Sequence, residues 1–201
     1  PFSTGLKNMD YIVLDQWVVF DGNQDYFSER VLKLQRCFMP RESKLKKREN
    51  LRRTSYALPL DNRILCVFNK ASKFSATTIG MFSKIAVETR AILWFGAMRP
   101  ELQTRIREAF ISRGVLADQI VFADRVESEE EHLGRMGLAD LYLDTYPYGG
   151  HTSFGDALYA GLPALTLYGE SPVSRVGYSY LSHLGVESEL AFETEVEFIE
   201  G

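Results

Sequence analysis

The chain has 201 residues, of which 45% are hydrophobic and 25% are charged, and its formal net charge is -4 at pH 7. This composition indicates an ordinary folded protein, and the acidic balance argues against a nucleic-acid partner, whose phosphate backbone requires a dominant positive field. The two cysteines predict neither a disulfide framework nor a metal site. We find no signal peptide in the sequence, and no apolar run approaches the roughly 20 residues that span a bilayer. We therefore predict a cytoplasmic protein with no membrane partner.

The first 62 residues do not share the pattern of the rest. They predict two short strands and a helix, at residues 11–14, 17–20 and 24–34. A basic run over residues 41–53 follows, which we interpret as a solvated connector, with an acidic binding partner as the alternative. Because the chain opens on Pro1, we expect a fragment in which residues 1–62 are the remnant of a preceding domain plus a connector.

From residue 63 onwards, short apolar runs alternate with amphipathic stretches. The apolar runs predict five strands, at residues 63–69, 91–96, 119–123, 141–145 and 164–168. The stretches between and after them predict five helices, at residues 77–90, 100–113, 128–137, 153–160 and 172–184. Strands joined by helical crossovers form a parallel, doubly wound sheet. We therefore predict an α/β, Rossmann-like lobe over residues 63–201.

The segment LYLDTYPYGGHTSFGDALYAG, residues 141–161, is the most informative part of the chain. It reads as a strand, a glycine-rich loop and a helix that opens at His151. Backbone N–H groups and the positive end of the helix dipole at such a junction bind phosphate groups. The segment therefore predicts a site for a nucleotide or a sugar nucleotide.

The predicted sheet brings a second loop to the same place. In the usual doubly wound order the first and fourth strands are neighbours, and ligands bind where the winding reverses between them. A diphosphate there would meet Lys73 from the first loop and the helix start from the other, while Asp156 could reach a ribose hydroxyl. Taken singly, these side chains could equally be a helix cap or surface residues. The candidate residues are Lys70, Lys73, His151, Thr152, Ser153 and Asp156.

His132 and Arg135 lie three residues apart on one face of a predicted helix. An imidazole and a guanidinium in that position could stack on a nucleobase and hydrogen-bond to it, although a plain polar helix face is the simpler alternative. The sequence contains no GxSxG, HExxH or Walker motif.

Several motifs together resemble one family. Residues 129–185, which contain GHTS, DALYAG and GESPVSRV, look like the C-terminal catalytic lobe of O-GlcNAc transferase and SPINDLY-type glycosyltransferases, family 41. FNKASK, residues 68–73, stands where that family has an FN-x-x-x-K motif, and PFSTGLKNMDYIVLD resembles the segment that closes its N-terminal lobe. The resemblance covers most of the chain.

The resemblance implies the C-terminal half of a GT-B enzyme that inverts configuration while transferring N-acetylglucosamine from UDP-GlcNAc to Ser or Thr of proteins, without a metal or other cofactor. Lys73 would neutralise the leaving diphosphate, and the start of the helix after the glycines would bind it. His132 would stack on uracil, Arg135 would contact the base edge, and Asp156 would hold the ribose. Acceptor contacts and tetratricopeptide repeats would lie before Pro1, so we expect this chain alone to be inactive.

Two positions depart from the animal members of the family. Glu129 stands in place of a lysine near the ribose, and Lys70 in place of a glutamine beside the phosphates. A carboxylate near a nucleotide is repulsive unless it points away, although Glu129 also suits the first turn of a helix. The two departures therefore bear on nucleotide affinity and donor choice.

The alternative from another class is a non-catalytic nucleotide-binding module, either a degenerate glycosyltransferase lobe or a regulatory domain. A sugar-nucleotide epimerase of similar two-lobe architecture would need catalytic carboxylates that the sequence does not reveal.

Overall fold

The structure, a computed structural model, describes residues 3–20, 22, 24–40 and 46–201. The strands are β1 (Tyr11–Asp15), β2 (Arg30–Leu34), β3 (Ile64–Val67), β4 (Ile92–Phe95), β5 (Ile120–Phe122), β6 (Leu141–Leu143), β7 (Ala164–Leu167) and β8 (Ala191–Phe192). The helices are α1 (Ala76–Thr89), α2 (Pro100–Ile111), α3 (Glu129–Met136), α4 (Thr152–Ala160), α5 (Val176–Leu184), α6 (Glu187–Leu190) and α7 (Glu195–Glu200). None of the helices in these ranges has the length and apolar character needed to cross a membrane.

The main sheet has six parallel strands in the order β5-β4-β3-β6-β7-β8. The chain runs outward from β3 to β5 and returns to start again at β6, so the winding reverses between β3 and β6, where Cys66 pairs with Tyr142. This is the predicted doubly wound arrangement, and the predicted α/β fold is confirmed. The prediction of five strands missed β8, because a two-residue strand is too short to show periodicity.

The core lies on both faces of this sheet. Strands β3, β4 and β7 are buried at every position, which explains why they appear in the sequence as continuous apolar runs rather than alternating ones. Helices α1, α2 and α7 cover one face, where Phe82, Phe110 and Phe198 are buried, and α4 and α5 cover the other with Phe154 and Leu181. Loops, rather than helices, cover the carboxyl ends of the strands.

The predictions for the N-terminal segment were partly wrong. Residues 17–20 form a turn and a bend rather than a strand, because the Asp15 carboxylate accepts hydrogen bonds from the backbone N–H groups of Trp17 and Val18 at 3.0 and 3.1 Å. The predicted helix over residues 24–34 is a 3-10 turn followed by β2, which pairs in parallel with β1. Pairing with a strand distant in sequence has overridden the local helical pattern.

The basic connector contacts the lobe along the part that the structure describes; residues 41–45 lie outside the described residues. Lys47 donates a hydrogen bond to the Ala160 carbonyl at 3.3 Å, and Arg53 forms an ion pair with Asp140 at 2.8 Å. The backbone N–H of Arg48 donates to a carbonyl of α3 at 2.8 Å. Residues 46–53 are therefore attached to the lobe, while the domain boundary at residue 62 stays a prediction.

Candidate functional site

A glycine-containing loop, residues 146–150, joins β6 to α4 at the carboxyl edge of the sheet, and we call it the glycine loop. The hydroxyls of Ser75 and Thr78, at the start of α1, donate to the Tyr146 carbonyl at 2.6 and 2.7 Å. The backbone N–H of Gly149 donates to the Val173 carbonyl at 3.1 Å. The loop is thus fixed to the elements on both sides of it.

Asp144 lies fully buried beneath the glycine loop. Its Oδ1 accepts hydrogen bonds from the backbone N–H groups of Thr145, at 2.9 Å, and Gly150, and its Oδ2 accepts one from the Thr166 hydroxyl at 3.0 Å. Burial raises the pKa of this carboxyl to about 6, against the opposing effect of these hydrogen bonds and of the charge of Lys73. No role for Asp144 was predicted from the sequence, although a carboxylate directly after a buried strand was the available signal.

The loop backbone at Gly149 and Gly150 lies so close to neighbouring side chains that these two positions require glycine. A Cβ at Gly150 would lie 2.9 Å from the hydroxyl oxygens of Ser153 and Tyr142 and 3.0 Å from Asp144 Oδ1, and one at Gly149 would lie 2.8 Å from Asp144 Oδ2. Such contacts are shorter than van der Waals separation. Only glycine therefore lets the loop lie directly on the Asp144 carboxylate.

Lys73 reaches the glycine loop from the 3-10 turn Ala71–Lys73 that follows β3. Its Nζ donates a hydrogen bond to the Gly149 carbonyl at 2.6 Å and lies 4.0 Å from the centroid of the Tyr148 ring. Burial lowers the pKa of this half-buried lysine, and the nearby Asp144 charge opposes that shift. The turn thus places a cation beside the start of α4, as the sequence predicted.

The start of α4 presents backbone and side-chain groups to the same space. A helix start leaves N–H groups without intrahelical acceptors. His151 precedes the helix, and burial, followed by the charge of Lys73, lowers its pKa to about 4, which keeps the imidazole neutral at pH 7. The Ser153 hydroxyl donates to Asn69 Oδ1 at 2.9 Å and accepts from the Tyr142 hydroxyl at 3.1 Å. The Ser153 side chain is thus engaged within the protein, whereas Thr152 is exposed.

Two cavities share a wall at this edge of the sheet. The Lys73 cavity, of about 550 Å³, is lined by Phe68, Lys70, Ser72, Lys73, His132, Tyr148, His151, Thr152, Ser153 and Asp156. The Arg135 cavity, of about 490 Å³, is lined by Phe68, Asn69, Lys70, Gly96, Ala97, Arg125, Val126, Glu127, Ser128, Glu129, His132 and Arg135. All of the predicted site residues except Arg135 line the first cavity, and Phe68, Lys70 and His132 line both.

The Arg135 cavity is organised around a stack of side chains. The Arg135 guanidinium lies 5.0 Å from the centroid of the Phe68 ring, and its Nη1 donates to the Asp124 carbonyl at 2.6 Å. Arg135 is only 3% exposed, and burial lowers its pKa. The His132 ring lies 5.8 Å from the Phe68 ring, and its Nδ1 lies 3.3 Å from Arg135 Nη2. From the sequence, Phe68 was expected only as part of a motif, and its contacts with Arg135 and His132 were not predicted.

Asp156 lies where the two cavities meet. Its Oδ2 is 3.7 Å from His132 Nε2, so the carboxylate faces the imidazole across the boundary. Glu129, one of the two departures from the family pattern, lines the Arg135 cavity together with Lys70, the other. The two departures thus bring opposite charges to one cavity. Among the described residues, no group of three or more histidine, cysteine or acidic side chains is arranged to hold a metal ion.

Comparison with known proteins gives consistent matches. The sequence family described as Glycosyl transferase family 41 matches residues 39–200. The chain is 32% identical to the probable UDP-N-acetylglucosamine-peptide N-acetylglucosaminyltransferase SEC of Arabidopsis thaliana, over 89% of this chain and 19% of that protein. It is 38% identical to the UDP-N-acetylglucosamine-peptide N-acetylglucosaminyltransferase of Caenorhabditis elegans, over 73% of this chain and 13% of the relative.

A solved structure supports the same grouping. An O-GlcNAc transferase mutant of Thermobaculum terrenum matches with a TM-score of 0.82 and 26% identity, over 96% of this chain and 36% of that one. The predicted similarity to one half of a GT-B structure therefore holds over nearly the whole length of this chain. The chain spans about a fifth or less of the two curated relatives above. On the family match and these relatives, the chain belongs to glycosyltransferase family 41.

Proposed function

We propose that the two cavities together bind UDP-N-acetylglucosamine, with the diphosphate in the Lys73 cavity and the uracil toward the Arg135 cavity. The observation that carries this proposal is the meeting of Lys73, the glycine loop and the start of α4 in one cavity that opens onto an aromatic and cationic stack. The names of the relatives support this donor for the family.

The diphosphate is held by charge and by backbone donors. Lys73 provides a mobile ammonium group that exchanges its hydrogen bond to the Gly149 carbonyl for one to a phosphate oxygen. The first N–H groups of α4, at Thr152 and Ser153, together with the helix dipole, face the other phosphate oxygens. His151, neutral at pH 7, contributes hydrogen bonding rather than charge. Lys70 lines both cavities and adds a second positive charge.

The base and ribose are recognised by side chains. His132 stacks on the uracil, Arg135 contacts the base edge, and Asp156 accepts a hydrogen bond from a ribose hydroxyl. Because Phe68 packs against both His132 and Arg135, it holds the two recognition groups at a set separation. This arrangement supports a preference for one base over others.

In sugar transfer, negative charge grows on the UDP leaving group. Lys73 and the α4 helix start stabilise that charge without a metal ion, and Lys73 is the catalytic residue of this lobe. We propose that transfer goes to Ser or Thr of proteins and requires parts of a longer protein for acceptor binding, since the chain spans 19% of the Arabidopsis relative. On its own, this chain binds the donor and transfers no sugar.

Calorimetry with UDP, ADP and GDP tests the binding proposal on the purified chain. UDP is expected to bind more tightly than either purine nucleotide, with most of the affinity in the nucleotide rather than in the sugar. Equal affinity for all three would contradict the base assignment, and no binding of any would contradict the site. A second assay with UDP-N-acetylglucosamine and a Ser/Thr-rich peptide is expected to yield no modified peptide, and sugar transfer above a Lys73→Ala control would show that the chain suffices for catalysis.

A further inference from the structure

The Asp144 carboxylate lies directly beneath the proposed diphosphate site and is not used by the binding scheme above. It is fully buried, and the glycine loop lies against it: a Cβ at Gly149 would be 2.8 Å from its Oδ2, and Lys73, which lines the Lys73 cavity, donates to the Gly149 carbonyl at 2.6 Å. Its two oxygens accept hydrogen bonds from four groups on three sides: the backbone N–H groups of Thr145 and Gly150, the Asn69 amide at 3.5 Å and the Thr166 hydroxyl at 3.0 Å. This carboxylate therefore sets the path of the glycine loop.

The position creates an electrostatic conflict. A buried carboxylate under an anion-binding loop repels the ligand that the loop binds, because little water lies between them to screen the charges. Before the ligand binds, the charge of Lys73 compensates that of Asp144. A diphosphate draws the Lys73 ammonium group to itself and adds negative charge above the loop. Both changes disfavour the ionised form of Asp144.

We propose that Asp144 is the positioning residue of the glycine loop and that it takes up a proton from solvent when a sugar-nucleotide diphosphate binds above it. This inference rests on the proposed function. The proton forms an O–H bond at Oδ2. Asp144 is then neutral, so the positive charge of Lys73 interacts with the diphosphate alone.

The hydrogen-bond network accommodates the neutral form without moving the loop. Oδ1 still accepts from Thr145, Gly150 and Asn69, while protonated Oδ2 donates to the Thr166 hydroxyl oxygen, which accepts as readily as it donates. The loop thus keeps its shape in both protonation states, and only the charge beneath it changes. The carboxyl is close to this transition already, since burial raises its pKa to about 6.

The neighbouring titratable groups favour Asp144 as the site of the proton. Lys73, on the turn after β3, is already cationic, and burial and the charge of Asp144 raise the pKa of Tyr142 on β6 well above its usual value. His151, at the start of α4, is the competing acceptor, but its pKa of about 4 must rise further than that of Asp144 to change its charge at pH 7. On the side of β7, the group that faces the Asp144 carboxyl is the Thr166 hydroxyl, which is neutral.

Calorimetry of UDP-N-acetylglucosamine binding at pH 7, in buffers of different ionisation enthalpy, measures the proton uptake directly. The sugar nucleotide is used because its diphosphate is a diester that does not itself titrate near this pH. A carboxyl with a pKa of about 6 is roughly one-tenth protonated at pH 7, so uptake of about 0.5 to 0.9 protons per bound ligand is expected. Asp144→Asn, whose amide reproduces the hydrogen bonds of the neutral acid, should lower uptake to about zero.

A matched variant separates the two acceptors. His151→Asn, which removes the competing acceptor and is expected to weaken binding, should retain the uptake per bound ligand of the unchanged protein. Binding without proton uptake, or uptake that persists in Asp144→Asn, would overturn this inference while leaving the proposed function intact, whereas absence of binding to the unchanged protein would overturn both. Should Asp144→Asn not fold, the 13C shift of the Asp144 carboxyl in the unchanged protein, followed against pH with and without the sugar nucleotide, gives the same answer. A midpoint that rises by more than one pH unit is expected, and an unmoved midpoint refutes the proposal.

Discussion

The Lys73 cavity and the Arg135 cavity share a wall but are built differently. The Lys73 cavity depends on backbone, since Asp144, Ser75 and Thr78 hold the glycine loop that leads into α4. The Arg135 cavity is formed by side chains, with the Phe68 ring against both the Arg135 guanidinium and the His132 imidazole, which also contact each other. On the proposed function, the first binds the diphosphate of any nucleotide, whereas the second distinguishes one base from another.

This difference assigns separate tasks to the two cavities. Charge and backbone amides respond to phosphate irrespective of the nucleoside, so changes in the Lys73 cavity should affect all nucleotides and the chemical step. Stacking and edge contacts respond to the shape of the base, so changes in the Arg135 cavity should affect the ranking of nucleotides. Four substitutions test this division.

The largest effect is expected for Lys73→Ala in a complete family 41 enzyme that contains this lobe. Removing the cation that stabilises the leaving diphosphate should lower kcat by about 100-fold or more, in line with the loss of one preorganised charge-stabilising group, and should raise KM much less. Steady-state kinetics measure both constants. A loss confined to KM would mean that Lys73 binds ground state and transition state alike, and near-normal turnover would refute its catalytic role.

Asp144→Asn tests whether the Lys73 cavity is built on a buried charge. With a folded-state pKa of about 6 against 3.8 for the free side chain, the folded chain holds more protons than the unfolded one between these pH values. The free energy of unfolding therefore falls as pH rises from about 4 to 6, by about 2 to 3 kcal/mol from this group. The free energy of unfolding of Asp144→Asn should not fall in this way. Relative to the unchanged protein, the variant should therefore become more stable as pH rises from about 4 to 6.

Urea denaturation at pH 4, 5, 6 and 8 measures this difference. Asp118→Asn is the matched control, because the Asp118 side chain is exposed and its replacement leaves the buried network intact. A stability difference between Asp144→Asn and the unchanged protein that stays constant with pH would show that the buried charge does not cost the fold stability.

Gly150→Ala tests the close approach of the glycine loop to the carboxylate. The added methyl group would lie 2.9 Å from two hydroxyl oxygens, so it should displace the loop, cost about 1 to 3 kcal/mol of stability and weaken UDP, ADP and GDP binding to a similar degree. Gly80→Ala on α1 is the matched control, because a methyl group added there would meet no atom within 4 Å beyond its own stretch of helix, and alanine favours a helix. Unchanged affinity in Gly150→Ala would remove the loop from the binding site.

Arg135→Lys should give the smallest effect and one of a different kind. Lysine keeps the charge but loses the guanidinium group that lies 5.0 Å from the centroid of the Phe68 ring, so UDP should lose about 3- to 10-fold of its advantage over ADP, a difference of about 1 kcal/mol. Arg107→Lys is the matched control, since Arg107 lies 5.4 Å from the Phe122 ring, away from both cavities. Equal weakening of all nucleotides by Arg135→Lys would abolish the distinction between the cavities.

The sequence predicted the features that depend on local pattern. The buried strands, the capped helices and the strand, loop and helix around His151 each arise from neighbours in the chain, and the doubly wound order then brings Lys73 to the glycine loop. The placement of the predicted site residues around one edge therefore followed from topology. Their roles in binding and catalysis stay predictions.

The features that were missed depend on distant partners. Residues 24–34 contain a strand because β1 lies beside them, and local helical spacing carries no information about that pairing. Asp144 follows an apolar run and Phe68 stands in a motif, but their importance arises from what the fold places against them: the glycine loop beside one, and Arg135 and His132 against the other. A buried carboxylate is recognisable as unusual only once its burial is known.

An NMR titration of the 15N-labelled chain with UDP tests directly whether the two cavities form one nucleotide site. The amide signals of Gly149, Thr152 and Ser153, in the glycine loop and the start of α4, should shift together with those of Phe68 and His132, and Lys73→Ala should reduce the shifts at the loop. ADP should reproduce the shifts at the loop but not those around Phe68. Shifts confined to another surface, such as the cavity around Leu116 and Val87 at the opposite edge of the sheet, would contradict the account.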